Sequence, residues 1–524
     1  MKTCYITTPI YYASGKVHIG NSYSTIVCDT FARYHRLKGD DTFFLTGMDE
    51  HGQKIENAAK AKNILPQQFV DTVAKETSDL WKNLNITNND FIRTSDERHV
   101  HVVQDIFEEL LAKGDIYLGE YEGDYCVPCE AFFTKTQLKN DDTCPDCGRP
   151  TIKVKEESYF LRLTKYADQL LAFIHEHPNF IQPETRKNEV VSFIEQGLED
   201  LCVSRTSFQW GIPVRSNPKH VIYVWIDALS NYLSALGYKT KDDSMYQKYW
   251  VHGDKVVHVV GKDILRFHAV YWPIMLLALG VPINFELIAH GWVMVKEGKM
   301  SKSKGNVVYP MDVASRYGLD ALRLYLVKEM TLGNDGVFTY ERFIDKFNVD
   351  LANDLGNLVS RSLSMINKYF QGTIIPSSFT NELTCNVEET IAKVVEEYQT
   401  CFDEFRFQDG LNQVWTLIGR ANRYIEETSP WSLAKDSTKL AELQAVMYHL
   451  YEILRMVAMM IAPVMPDTAQ LILDELGLSS QSININQLHY GLTQQAVVTS
   501  KPQILFKRLD LAQELKKINE GSYE

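Results

Sequence analysis

The sequence predicts an α/β protein in which one parallel sheet is interrupted by an insertion and followed by an all-helical region. Three observations carry this reading. Two separated blocks alternate between strand-like and helix-like patterns, a cysteine-bearing stretch lies between them, and no strand signal of any length survives after about residue 346.

In residues 1–114 the apolar run "CYITT" reads as a strand, followed by a helix around Thr25–Leu37 and the strand "TFFLTG". Further helices follow around Ile55–Ala61 and Val70–Leu84. After Gly114 the pattern breaks into a loop-rich stretch that runs to about residue 220. Alternation resumes with "HVIYVWIDAL" and "KVVHVVGKD", then a helix from about Ile264 to Leu279 and the strand "FELIAHG". Beyond residue 346, Leu351, Leu355, Leu358, Ser362, Ile366 and Tyr369 fall on one face at helical spacing.

The first strand leads into "YYASGKVHIGN" and then a helix. Strand, tight loop and helix N-terminus in that order form a place to hold phosphate, because free backbone N–H groups and the helix dipole converge there. The loop has neither the three glycines of a dinucleotide fingerprint nor the Gly-Lys-Ser/Thr of a P-loop. It offers His18 and Asn21 instead.

In the interrupting stretch, Cys126, Cys129, Cys144 and Cys147 form two C-x-x-C pairs separated by fourteen residues. Each pair can present two thiolates from a tight knuckle, and two knuckles complete a tetrahedral zinc site. With four thiolates the site is closed, so the zinc is expected to be structural.

A second cationic element, "EGKMSKSKGN", carries Lys299, Lys302 and Lys304 more than 250 residues downstream of His18. Ammonium groups on flexible stems suit a polyphosphate on which charge is building. Together, "HIGN" and "KMSKS" resemble the signatures of class I aminoacyl-tRNA synthetases. The stretches "LTGMDEHGQKI", "YVWIDALSNYL", "VVGKDILRFH" and "HGWVMVKEGKMSKSKGN" are similar to the blocks of the methionyl branch of that family, in its order.

The resemblance implies a Rossmann-type catalytic domain, a connective insertion and an α-helical anticodon-binding domain. Its boundaries are expected at 1–114 and 221–298 for the two halves of the catalytic domain and 115–220 for the insertion with its zinc knuckle. A segment at 299–345 would hold the lysine loop and contact the tRNA stem, and 346–524 would be the anticodon domain. It also implies the reaction: methionine and ATP give methionyl-adenylate and pyrophosphate, and methionine then passes to the terminal adenosine of initiator and elongator methionine tRNAs. Mg2+ is expected to accompany ATP.

By position, the resemblance assigns His18 to the α-phosphate, Lys302 to the leaving pyrophosphate and Lys299 as its companion, with Asn21 where the family has a second histidine. It assigns the methionine pocket to Ile10, Tyr12, Asp49, Trp225, Leu229, Tyr232, Ile264, Phe267 and His268, with Asp49 for the α-amino group. An unbranched thioether calls for such an aromatic-walled slot closed by few polar groups. Gly261 and Asp263 are implied at the ATP ribose, and Arg205 near the site. Asn357, Arg361 and Trp431 are implied at the anticodon, where stacking and base-edge hydrogen bonds hold unpaired bases. Leu229 stands where some members carry proline, a departure expected to reshape the pocket wall slightly.

Whole-chain properties set the frame. A formal net charge of −13 excludes a generally sticky nucleic-acid binder, though not one that uses local patches. The longest nearly apolar run, 269–283, is too short to span a bilayer and contains two prolines, so no membrane partner is expected. An odd number of cysteines, nine, with four clustered, suits a reduced, cytoplasmic compartment. The insertion is short for both a zinc knuckle and an editing domain, so no dedicated editing domain is expected. The chain ends soon after "AQELKKINE" without a β-barrel of the kind that dimerises many bacterial members, so a monomer is expected.

Overall fold

The computed structural model describes residues 1–129, 131–133, 138, 142–145, 147–296, 298–299, 307–478 and 483–520. They divide into two compact units: Met1–Val17 with Asp41–Gly291, and His18–Asp40 with Trp292–Glu524.

The first unit is built on a parallel sheet. Its strands are β1 (Thr3–Thr7), β2 (Tyr11–Tyr12), β3 (Asp41–Asp49), β4 (Asp90–Arg93), β8 (Ile181–Gln182), β12 (Lys255–Gly261) and β13 (Glu286–His290). They run β2-β3-β1-β12-β13-β8, with β4 also paired to β3. The two sequence blocks therefore meet at the centre, where Cys4 to Thr7 lie beside Lys255 to His258. Both strands are buried almost throughout, the continuous apolar pattern of a strand covered on both faces. The one polar ring in β12, His258, is held by the Thr7 hydroxyl at 2.8 Å. Gly47 in β3 is required by close packing, since a Cβ there would clash with the Ile92 carbonyl oxygen.

Helices α2 (Gln53–Ala61), α3 (Pro66–Asn83) and α4 (Glu97–Ala112) connect the early strands. Buried Val102, Val103, Ile106 and Leu110 on α4 join the same core as Tyr5, Leu45 and Trp250.

The insertion is more ordered than its sequence suggests. Strands β5 (Ile116–Cys126) and β7 (Ile152–Leu161) pair antiparallel from Ile116–Leu161 to Tyr125–Ile152, flanked by β6 (Ala131–Phe133) and β9 (Leu201–Cys202). Gly119 and Gly123 read as turn residues in sequence, yet both lie inside β5. Charged residues on the solvated face further blur the two-residue period. Helices α5 (Ala167–Glu176) and α6 (Glu184–Glu195) follow, and between them β8 joins the parallel sheet beside β13.

"HVIYVWIDAL" is also different from its strand reading. Only Val221–Ile222 is extended, as β11 paired antiparallel with β10 (Ser204–Arg205). Helix α7 (Val224–Leu229) and the short α8 (Asn231–Ser234) follow. All of α7 except Trp225 is fully covered, so no polar face punctuates the run at helical spacing.

The second unit gathers α1 (Ile19–Leu37) with the C-terminal part of the chain. Phe31 of α1 stacks on Phe405 at 4.1 Å, the Tyr34 hydroxyl donates to the Gln399 carbonyl, and buried Arg323 donates to Asp29 at 2.6 Å. A three-stranded sheet of β14 (Val293–Val295), β15 (Gly298–Lys299) and β16 (Gly336–Val337) precedes a bundle whose long helices are Glu382–Asp403, Phe407–Thr428 and Leu440–Ile461. A two-residue pair, β17 (Thr373–Ile374) with β18 (Ala496–Val497), is its only strand pairing among the described residues beyond 346. Leu351, Leu355, Leu358, Ser362 and Ile366 are buried, as their spacing predicts, while Tyr369 at the end of the same stripe is only half-buried. No helix among the described residues is long and apolar enough to cross a membrane.

Candidate active site

His18 is the N-cap of α1, with extended backbone at φ −112° and ψ 175°. Its Nδ1 accepts the Gly20 N–H at 3.1 Å, and its own backbone N–H donates to Asn21 Oδ1 at 3.2 Å. This reciprocal box fixes the start of the helix. It also fixes the histidine tautomer: with Nδ1 accepting, the ring proton of the neutral imidazole sits on Nε2. The helix end and that N–H together suit an anionic oxygen. In the same unit, Lys299 ends the β14–β15 hairpin opposite Met294, while Lys302 lies outside the described residues.

The positions expected to line the amino-acid pocket lie in the first unit. Tyr12 stands directly opposite Asp49 where β2 pairs with β3, and the Ala13 N–H donates to the Asp49 carbonyl at 2.8 Å. The Tyr12 hydroxyl donates to the His51 carbonyl oxygen at 3.2 Å. Trp225 and Phe267 stack face to face, centroids 3.6 Å apart and planes 8° from parallel. Trp225 also meets the His268 ring edge-on. Ile10, Tyr12, Trp225, Ile264 and Phe267 are all apolar side chains left partly exposed on the buried core. Leu229 and Tyr232 sit beneath, each 1% exposed.

Two polar groups are fixed within this apolar setting. His268 Nδ1 donates to the Ile264 carbonyl at 3.0 Å, so its Nε2 accepts the Tyr232 hydroxyl at 2.7 Å. Burial lowers the His268 pKa to about 4, so the ring is neutral near pH 7. Tyr232 in turn stacks on His258 at 4.1 Å, and the Tyr5 hydroxyl donates to the Tyr232 carbonyl. Among these apolar side chains the Tyr232 hydroxyl and the His268 imidazole form a polar pair.

Gly261 ends β12, and a Cβ there would lie 2.6 Å from Asp263 Oδ1. The Asp263 carboxylate therefore folds back over the glycine at the C-terminal edge of the sheet, a suitable place to accept sugar hydroxyls. Arg205 is not a surface charge: at 1% exposed it pairs with Glu156 and lies 4.1 Å over the Tyr125 ring, inside the insertion.

The four clustered cysteines converge. All four Sγ atoms lie within 4.8 Å of one another, with Cys126–Cys147 at 3.5 Å and Cys129–Cys144 at 3.9 Å. A tetrahedron with metal–sulfur bonds of about 2.3 Å has edges of about 3.8 Å, so the donor set fits a tetrahedral ion. The Cys144 N–H donates to the Arg149 carbonyl, and Gly148 takes the left-handed φ of +70° that closes this knuckle. Burial pushes the Cys126 and Cys129 thiols up, a cost that a cation would relieve.

In the helical unit, Asn357 and Arg361 sit one turn apart on the helix Asn357–Phe370, beside the buried stripe. Arg361 pairs with Glu426 at 2.6 Å. Trp431 follows Pro430 where Ser429, at φ +43°, breaks the preceding helix, and its ring is 42% exposed.

Sequence reasoning missed a buried set in the first unit: Asp227 accepts from His51 Nδ1 at 2.6 Å and from His99 Nε2 at 2.8 Å. His51 and Asp227 both lie in the stretches that carry the family resemblance, yet nothing in the sequence pairs residues 176 positions apart.

The chain matches the family of tRNA synthetases class I (M) over residues 4–153 and 147–363, and the anticodon binding domain of methionyl tRNA ligase over 377–517. It is 52% identical to a methionine–tRNA ligase of Enterococcus faecalis over 98% of this chain and 78% of that one. It is 51% identical to a methionine–tRNA ligase of Bacillus subtilis, over 98% and 79%. Among solved structures it is similar to a Mycobacterium tuberculosis methionyl-tRNA synthetase bound by methionyl-adenylate, at 38% identity and a TM-score of 0.92, covering 96% of this chain and 100% of that one. By these matches, which together span nearly the whole chain, it belongs to the methionyl-tRNA synthetase family of class I aminoacyl-tRNA synthetases.

Proposed function

We propose how these residues share the work of ligating methionine to its tRNAs. The chain activates methionine with ATP: a methionine carboxylate oxygen bonds to the α-phosphorus, the bond to the bridging oxygen breaks, and pyrophosphate leaves. The tRNA's terminal adenosine hydroxyl then takes the methionyl group and AMP departs.

In this reading Asp49 holds the α-ammonium of methionine, and Tyr12 stands beside it. The stacked Trp225–Phe267 pair forms one wall for the thioether together with Ile10, Leu229 and Ile264, and the Tyr232–His268 pair meets its sulfur end. The observation that carries the assignment is the His268 arrangement. The ring is anchored by Ile264 and kept neutral by burial, so it and the Tyr232 hydroxyl offer a polar end without a charge. A charged group there would reject an apolar side chain.

Gly261 and Asp263 receive the ATP ribose. His18 donates from Nε2 to the α-phosphate oxygens as charge develops, Asn21 supplies an amide at the same helix end, and Lys299 and Lys302 follow the departing pyrophosphate. Mg2+ enters with ATP. Asn357, Arg361 and Trp431 meet the anticodon.

The catalytic domain in this reading comprises 1–114 and 221–298, the insertion 115–220, the lysine-loop and stem-contact region 299–345 and the anticodon domain 346–524. Cys126, Cys129, Cys144 and Cys147 hold one structural Zn2+. The enzyme works in the cytoplasm, where its thiols stay reduced.

Methionine-dependent exchange of labelled pyrophosphate into ATP tests the activity. Exchange with methionine and not with leucine or isoleucine is expected; no exchange with any amino acid sinks the reading.

A further inference from the structure

The amino-acid pocket positions belong to separate chain segments: Tyr12 and Asp49 sit at one end of the sheet, and Trp225 and Leu229 on α7. A single fully buried carboxylate joins them. Asp227 lies on α7 between Trp225 and Leu229 and is 0% exposed. A carboxylate only accepts, so both imidazoles donate to it: His51 from Nδ1 to Oδ2 at 2.6 Å and His99 from Nε2 to Oδ1 at 2.8 Å.

Each imidazole reaches a different wall. His51 follows Asp49 by two residues, and its carbonyl oxygen accepts the Tyr12 hydroxyl. His99, on α4, has its Nδ1 2.7 Å from the Ser234 hydroxyl, and Ser234 ends the helix α8 that carries Tyr232. Trp210 packs edge-on against the His51 ring at 5.4 Å, and its indole N–H donates to the Glu50 carbonyl at 2.6 Å. Both carboxylate oxygens of Asp227 and both ring nitrogens of His99 are engaged, which holds the set in one arrangement.

We propose that Asp227, bridging His51 and His99, is the positioning residue that sets the width of the methionine slot. It locks the helix bearing Trp225 to the strand end bearing Tyr12 and Asp49. Asp227 does not touch the substrate; it acts through these residues. A buried ion with its two donors is costly to leave half satisfied, so the spacing is defended by more than packing. The proposal rests on the assignment of this slot to methionine.

The test is the KM-against-kcat split in pyrophosphate exchange. Asp227→Asn keeps the shape but sets an amide N–H against an imidazole N–H. Its methionine KM is expected to rise about tenfold, the scale of one charge-assisted hydrogen bond, with kcat and the ATP KM within about threefold of wild type. His99→Leu, which removes one donor, should give the same split, and His99→Gln, which can keep an N–H toward Asp227, should recover most of it.

If Asp227→Asn does not fold, the His99 pair decides. An unchanged methionine KM, an equal effect of His99→Leu and His99→Gln, or a uniform loss in kcat and both KM values overturns the proposal. A wild-type protein without methionine-dependent exchange instead overturns the assignment of the slot.

Discussion

The Tyr232 hydroxyl donates to His268 Nε2 at 2.7 Å because His268 Nδ1 is already committed to the Ile264 carbonyl. The pair has a direction, and protonation of His268 would destroy it. Its pKa, lowered to about 4 by burial, lies below that of a histidine in the unfolded chain. The unfolded state therefore binds the proton first, and stability is lost as pH falls from about 6.5 towards 4. This group alone contributes about 3 kcal/mol across that window. Buried His258 and His290 are shifted in the same direction and steepen the loss. Urea midpoints at pH 7.5, 5.5 and 4.5 should fall in that order, and a flat profile would refute the neutral assignment.

Tyr232→Phe isolates the hydroxyl. It leaves the ring stacked on His258 and the His268 Nε2 without its donor. A stability loss of about 1–2 kcal/mol is expected, with a higher methionine KM and an unchanged ATP KM in exchange assays. Equal effects on both substrates would remove Tyr232 from the methionine slot.

Lys302→Ala should slow adenylate formation by about 10²-fold or more, since it withdraws a group proposed to act on charge that appears only in the transition state. Binding of tRNA, read by filter retention, should change little. If tRNA affinity drops while the single-turnover rate of adenylate formation holds, the lysine belongs to the nucleic-acid surface.

Asn21 has a structural duty that its amide fulfils: Oδ1 accepts the His18 N–H. Asn21→Ala should cost about 0.5–2 kcal/mol through loss of half the capping box and should lower exchange by loosening His18. Asn21→His, whose ring nitrogen can accept the same N–H, should stay within about threefold of wild type. A large gain in Asn21→His would mark the natural residue as a weakened site.

Zinc uptake into metal-free protein should release protons, because burial favours the protonated thiols of Cys126 and Cys129. Chelation should abolish amide protection at Cys144, whose N–H bonds to Arg149, while strands β1 and β12 keep theirs. Proton release near zero would exclude a four-thiolate site.

The four central strands of the parallel sheet were legible in sequence because they are buried on both faces and read as apolar runs, as in "KVVHVVG", whereas the short outer strands β2, β4 and β8 were not read. The insertion was not, because glycines and charges within β5 imitate loops, and its sheet is pinned by pairing with β7 from far along the chain. Cys126 to Cys147 could be read from spacing alone, since the ligands carry their geometry with them. The capping box at His18 and Asn21 is equally local, though the tautomer emerges only when Gly20 is seen to donate. The Asp227 set has no local signature, because His51 and His99 come to it from the loop after β3 and from α4 only once the sheet has formed.

Strand β8 gives the insertion a second meaning. Ile181 and Gln182 run beside Leu287 and Ile288, so a segment that looks like a detachable module supplies the margin of the main sheet. Trimming residues 115–220 to obtain a minimal catalytic core would uncover the hydrogen-bonding flank of β13, which is buried from Leu287 to His290. Such a flank is a template for strands of other molecules. The shortened protein would be lost to self-association before its chemistry could be assayed, whereas a cut that spares Ile181–Gln182 and its supporting helices keeps that flank covered.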